Sequence, residues 1–259
     1  MKPNHMDQLL LKYSEFLTGT KGRSPNTTRV YMNDLQPFRQ FMLNEGLNLW
    51  DFNRQSLREY LAWLATSASK KGVGYARVSM ARMLVVLRSF YLFLERNGTI
   101  NKNPIPKSKT LQIKVEKHLP VFLGLKEVEL LLETPDTTTP FGIRDKALLE
   151  LLYSSGIRLS ELANLDISSL EIDSREVKVV GKGSKERIAL IGQMTADALK
   201  HYLTVGRPNL EQNPVPALCL NRYGFRLSQR GIEKVVSATA KRAGVRPGVH
   251  THTLRHTFA

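Results

Sequence analysis

From Ile100 to His118 the chain drops the apolar periodicity it shows on either side, and this interruption constrains the fold more than any other stretch. Asn103-Pro104-Ile105-Pro106 is followed by Lys107, Lys109, Lys114 and Lys117. Prolines remove backbone donors and the lysines repel one another, so the segment reads as an extended basic linker. Cutting 259 residues there leaves two pieces of ordinary domain size, 1–99 and 119–259.

The first piece repeats at helical spacing. Leu9, Tyr13, Phe16 and Leu17 form one stripe. Ser24-Pro25 is a helix start, a capping hydroxyl before a proline at the first helical position. Tyr31, Leu35, Phe38 and Met42 follow, and Leu57, Tyr60, Leu61 and Leu64 make a third stripe after Asn53. The fourth runs from Tyr75 to Arg96, with Leu84, Leu87, Tyr91 and Leu94 inward. Val85, Val86, Phe90 and Phe93 widen its apolar face, and Asn97-Gly98 ends it. A compact four-helix bundle with short links is expected.

The second piece mixes periods. Leu125–Glu133 and Phe141–Ser155 read as helices, as do Thr195–Val205 and Ser228–Ala243. After Leu165 the alternation becomes twofold, in Leu170-Glu171-Ile172, Glu176–Val180 and Arg187–Ile191. Cys219-Leu220-Asn221 reads as a short buried segment. The expected fold class is mainly α with a small antiparallel β-sheet (α+β) in the second domain.

Charge narrows the partner. The chain carries a net +15 with a pI of 10.0, divided as +8 over residues 1–105 and +7 over 106–259. Both halves therefore attract a polyanion, of which a phosphate backbone is the commonest. Cys219 is the only cysteine, so there is no disulfide framework and no cysteine zinc site, which suits a reducing cytosol. No apolar run is of membrane-spanning length and the N-terminus lacks a signal-peptide core, so a cytoplasmic, nucleoid-associated protein with no membrane partner is expected. Thr27, Thr28 and Arg29, then Lys70, Lys71, Arg77 and Arg82, cluster at helix starts, where backbone N–H groups also favour anions. They are candidate DNA contacts; scattered cations of this kind also make ordinary solvated faces.

Three places offer chemistry. Arg158 stands just past Gly156 in Ser154-Ser155-Gly156-Ile157-Arg158-Leu159-Ser160-Glu161, where rigid elements on both sides would aim its planar fork at a phosphate. Alone, it reads equally as an Arg158–Glu161 surface pair at i,i+3. Lys182 lies in Gly181-Lys182-Gly183-Ser184-Lys185, a strand-to-strand tip and not a P-loop, which in isolation would be a solvated turn. The third place is His250-Thr251-His252-Thr253-Leu254-Arg255-His256. Histidines at 252 and 256 would share a helical face as zinc ligands do, but Arg255 between them repels a cation, and no acid follows Glu233. An arginine among histidines suits a phosphate better.

Taken together, these stretches resemble the tyrosine recombinase (phage integrase) family, most closely its bacterial Xer branch. Arg144-Asp145-Lys146-Ala147-Leu148-Leu149 with the Arg158 segment resembles the first arginine box, Lys182 the β-hairpin lysine, and His252-Thr253-Leu254-Arg255 the H-x-x-R box. Arg222 to Gly244 resembles the helix that leads into the last box. The resemblance covers almost the whole chain. It implies a four-helix core-binding (SAM-like) domain and a catalytic domain, closing as a C-shaped clamp on duplex DNA.

The resemblance also implies a mechanism. Arg158 and Arg255 would hold the non-bridging oxygens of a scissile phosphate, donors worth about 3 kcal/mol apiece in a transition state. Lys182 would protonate the departing 5′ oxygen, His252 would assist proton transfer, and a tyrosine would form a 3′-phosphotyrosyl link without metal, ATP or other cofactor. Glu161 would support Arg158. Lys185, Arg222, Arg226, Gln229 and Arg230 are further DNA-contact candidates. Implied partners are a dif-like double-stranded site, further protomers in a tetrameric synapse and an FtsK-type translocase, with chromosome dimer resolution as the task. Integration of a mobile element and a non-catalytic architectural role are the alternatives.

The family places a further His or Trp and the nucleophilic tyrosine beyond the H-x-x-R box. The eight tyrosines here (13, 31, 60, 75, 91, 153, 202 and 223) all precede His252. The expectation is a C-terminally truncated recombinase that binds DNA without cleaving it and stays monomeric or weakly associated.

Overall fold

The computed structural model describes residues 5–69, 72–105, 113–115, 122–181, 183 and 185–258. It divides into two compact units, Met1–Lys117 and His118–Ala259.

The first unit is built from α1 (His5–Thr18), α2 (Pro25–Asn44), α3 (Arg54–Thr66) and α4 (Arg77–Arg96). The cap expected at the start of α2 is present, and α3 has one that was not expected. Ser24 Oγ accepts from the N–H of Thr27 with Pro25 beginning α2, and Asn53 accepts from Gln55 and Ser56 at the start of α3. Each satisfies helix donors that would otherwise lack partners. The stripes meet in an aromatic core of Tyr13, Phe38, Phe41, Tyr60, Phe90 and Tyr91. Val85 departs from expectation. It is 53% exposed, because α4 turns Leu84, Val86 and Leu87 inward and one position between them must face out. A short hairpin, β1 (Ala68–Ser69) and β2 (Gly72–Val73), unforeseen in the sequence, joins α3 to α4. Ile100 and Ile105, inside the basic stretch read as linker, are buried in this core. Asn103 fixes them there by accepting from the N–H of Ile105 and donating to the carbonyl of Arg88. Lys107, Lys109 and Lys117 of that stretch lie outside the described residues.

The second unit starts with α5 (Leu125–Glu133) and α6 (Pro140–Ser155), the latter capped by Thr139. A short helix α7 (Leu159–Asn164) leads to a three-stranded antiparallel sheet, β3 (Leu170–Glu171), β4 (Glu176–Val180) and β5 (Glu186–Leu190), in the order β3-β4-β5. Val177 pairs with Ala189 and Val179 with Arg187, so those four positions share the inner face. α8 (Gln193–His201) runs into a π turn at Tyr202–Gly206, where one helix through Val205 is expected from sequence. Here Gly206 packs closely on Ile143 of α6, where an added Cβ would lie 3.0 Å from the Ile143 side chain, and the hydrogen-bond spacing widens. α9 (Gln229–Arg242), capped by Ser228, and α10 (Thr251–Phe258) complete the unit. Among the described residues no helix is long and apolar enough to cross a membrane.

Candidate functional site

The site begins where α6 stops. Gly156 sits in the left-handed region at φ +55°, a conformation that strongly favours glycine, and turns the chain out of the helix. Ile157 then plugs into the core and Arg158 takes an extended conformation as the residue before α7. Glu161, in the first turn of α7, folds back on it. Its Oε2 accepts from the Arg158 backbone N–H at 2.8 Å and from Arg187 Nη2 at 2.7 Å, while Oε1 accepts from Arg158 Nη1 at 2.9 Å. The Glu161 side chain is only 2% exposed, against 54% for Arg158 and 39% for Arg187. Burial alone would raise the Glu161 pKa; the Arg158 N–H and guanidinium and the Arg187 charge outweigh it, and the carboxyl lies below its ordinary value.

α10 brings the second arginine to the same corner. Arg255 Nη1 donates to the carbonyl oxygen of Gly156, two residues before Arg158. The Phe258 ring covers Gly156 so closely that a Cβ there would clash with it. The Leu123 N–H donates to Thr257 Oγ1 at 3.1 Å, and Leu254 is buried beneath. His252 is exposed on the same helix, its ring 6.1 Å from that of His250 and 6.5 Å from that of His256. His250 Nδ1 is 2.6 Å from Thr253 Oγ1. Among the described residues His, Cys, Asp and Glu form no group that could hold a metal ion. Arg158, His252 and Arg255 thus share one neighbourhood. Lys182 lies outside the described residues. The base of its tip is described: the Gly181 N–H donates to the Lys185 carbonyl at 2.8 Å, and a Cβ on Gly181 would lie 3.5 Å from Glu161 Oε1.

With this geometry in place, the sequence matches the phage integrase family over residues 122–259 and the phage integrase N-terminal SAM-like domain over residues 10–98. It is 38% identical to tyrosine recombinase XerC of Pelotomaculum thermopropionicum, across 98% of this chain and 83% of that protein. Tyrosine recombinase XerD of Staphylococcus epidermidis is 36% identical over 98% of this chain and 84% of its own length. The chain belongs to the phage integrase family of tyrosine recombinases. Solved structures agree in fold. A lambda integrase dimer bound to a COC′ core site matches with a TM-score of 0.73 at 16% identity, over 97% of this chain and 84% of that one. XerH bound to a palindromic difH substrate matches at 0.70 and 22%, over 90% and 67%.

The remaining candidate residues of this recombinase are placed unevenly. Arg77, Lys185, Arg222, Gln229 and Arg230 are exposed, Arg77 at the start of α4 and Gln229 and Arg230 at the start of α9. Arg222 stacks its guanidinium over Tyr223. Thr27 hydrogen-bonds Ser24 at the α2 cap and Thr28 is buried. Arg82 forks onto the buried Asp34 at 2.6 and 2.8 Å, tying α4 to α2. Arg226 spans the carbonyls of Ala163 and Leu165 and the carboxylate of Asp166. Lys70 and Lys71 lie outside the described residues.

Sequence reading missed the place of Arg187 in this site. The signal was available: Arg187 precedes the apolar Ala189 by two residues in a twofold strand, so an arginine occupies an inward-facing position.

Proposed function

We propose that this recombinase performs site-specific recombination on duplex DNA, with Arg158 and Arg255 as the two guanidiniums that grip the scissile phosphate. The observation that carries this reading is their meeting at Gly156 from two distant segments, each with donors left for an anion. Two such donors stabilise charge that grows on the phosphate oxygens as the ester is attacked. His252, exposed three residues before Arg255, assists proton transfer, and Lys182 protonates the leaving 5′ oxygen. The attacking tyrosine forms a 3′-phosphotyrosyl bond that keeps the ester energy for rejoining. No metal or nucleotide enters this scheme.

Arg77, Lys185, Arg222, Gln229 and Arg230, with Thr27, Lys70 and Lys71, supply backbone or base contacts. The substrate in this reading is a dif-like site. Its other partners are three more protomers around two duplexes and an FtsK-type translocase, and the task is resolution of chromosome dimers.

We infer further that residues 1–259 alone bind DNA without cutting it. The Tyr202 hydroxyl is buried and accepts from the Leu220 N–H at 3.3 Å, and burial raises its pKa; the Tyr223 hydroxyl is engaged by Arg222. A duplex nicked beside the cleavage position tests this: binding without a covalent adduct is expected, and an adduct overturns it. In a longer chain that supplies the tyrosine, Arg158→Ala and Arg255→Ala abolish cleavage while leaving binding near normal. If those variants alter only salt-dependent affinity, the chain is an architectural DNA-binding protein instead.

A further inference from the structure

We propose that Arg187 is a positioning residue for Arg158, acting through Glu161; this rests on the reading of Arg158 as a phosphate ligand. The carboxylate of Glu161 is a shared acceptor. One oxygen meets Arg158 Nη1 at 2.9 Å, and the other is held at 2.7 Å by Arg187 Nη2 and at 2.8 Å by the Arg158 N–H. A carboxylate with one guanidinium neighbour tends toward a two-point, fork-to-fork pair, which occupies a full edge of that guanidinium. Arg187, together with the Arg158 N–H, fills Oε2 and disfavours this. Arg158 is therefore anchored through Nη1, and among the described residues its Nη2 and Nε donate to no side chain or backbone group.

Charge points the same way. Two guanidiniums around one buried carboxylate leave a net positive charge facing solvent at a half-exposed Arg158. Without Arg187 the Arg158–Glu161 pair would be neutral, and its attraction for a phosphate correspondingly weaker. Position in the fold adds a second role. Arg187 lies on β5 opposite Val179 of β4, and Gly181 at the end of β4 abuts Glu161 Oε1. The same carboxylate thus registers the β4–β5 hairpin against the start of α7, and the hairpin cannot shift without disturbing Arg158.

Inorganic phosphate titrated into residues 1–259, with the Nε–Hε resonances of Arg158 and Arg255 followed by NMR, tests the proposal. In the wild-type chain both resonances should move on one binding curve. With Arg158→Ala the Arg255 response should be lost; an unchanged Arg255 curve defeats the two-arginine reading itself, whatever Arg187 does. With that control satisfied, Arg187→Gln should displace the Arg158 resonance before phosphate is added and weaken binding about tenfold, the scale of one charge-assisted hydrogen bond. Arg187→Lys, which keeps the charge, should restore most of the affinity. An Arg187→Gln chain with the Arg158 resonance and phosphate affinity of the wild type overturns the proposal. So does equal loss in both variants alongside a fallen melting temperature, which would mark Arg187 as a packing residue.

Discussion

Two groups of arginines in the second unit put the same side chain to opposite uses. Arg144, Arg207 and Arg226 surround the irregular segment from Val215 to Arg226 and spend their donors on its backbone and on nearby carbonyls. Arg144 donates to the Leu220 carbonyl at 2.8 Å, and Arg207 to those of Val215 and Ala217 at 2.7 and 3.0 Å. Arg226 reaches the Ala163 and Leu165 carbonyls. A segment with little strand pairing leaves buried carbonyl oxygens that need partners, and a five-donor fork can serve several at once. Arg158 and Arg255 are anchored at one corner each and keep donors for something else. Net charge therefore overstates the cations available to DNA: part of the +15 is internal scaffolding.

The largest effect expected from this contrast is on Arg207, whose side chain is 5% exposed and which also pairs with Glu211 at 2.7 Å. Arg207→Ala leaves the buried Ala217 carbonyl and the partly buried Val215 carbonyl without this donor and opens a void, and should cost about 3 kcal/mol of unit-2 stability. Chemical denaturation measures it. A variant that unfolds at the wild-type denaturant midpoint would erase the distinction between the two groups.

Second in size is Gly156→Ala. The substitution forces a side chain into the left-handed region, a cost of about 1–2 kcal/mol, and drives its Cβ into the Phe258 ring. Loss of stability should come with displacement of α10 and of Arg255. Adding Phe258→Ala should recover the steric part only, because the backbone cost stays. Full recovery in the double variant would show that φ at this corner is immaterial.

What could be read from sequence follows the range over which each feature is encoded. The cap at Ser24, the stripe of α2 and the strand Glu176–Val180 depend on neighbours a few residues away, and they were legible; the capping roles of Asn53 and Ser228 were not drawn from sequence. The Arg158 and Arg255 motifs were legible as motifs, and the glycine between α6 and Arg158 signalled the turn. The division of labour among arginines was not. Nothing local announces that Arg226 also donates to the Ala163 and Leu165 carbonyls, some sixty positions away. The Arg82–Asp34 pair is likewise invisible locally, although Arg82 stays half-exposed. The π turn at Tyr202 depends on Gly206 approaching Ile143, a tertiary contact with no local signature.

Acid should separate two of the carboxylates that hold arginines in this unit, Glu127 and Glu161. Both lie below their ordinary value of 4.5, so each stabilises the fold above that pH, and the contribution is lost as pH falls through the folded value. For the partly exposed Glu127, held by Arg246 and the Gly124 N–H, that value is about 2. Glu161→Gln should flatten the acid limb of unit-2 stability below pH 4.5. Added salt should weaken the Glu127–Arg246 contribution and leave that of Glu161 nearly unchanged, because burial shields it from mobile ions. An acid limb of equal size in Glu161→Gln and wild type would show that Glu161 contributes nothing to it.

The smallest stability change is expected where the functional loss is greatest. Arg158→Ala removes one of three donors to Glu161 and leaves the residue-158 N–H and Arg187 in place. Because Arg158 is half-exposed, the loss should be about 1 kcal/mol or less, measured beside Arg207→Ala under the same conditions. The contrast in binding should run the other way. Arg158→Ala should lose phosphate binding, whereas Arg207→Ala should retain it at denaturant-free, low temperature where unit 2 is still folded. A strut can be missed only by the fold, and a ligand-facing arginine only by the ligand. If Arg158→Ala cost as much stability as Arg207→Ala, Glu161 would be holding it for architecture, and the Gly156 corner would lose its claim to the phosphate.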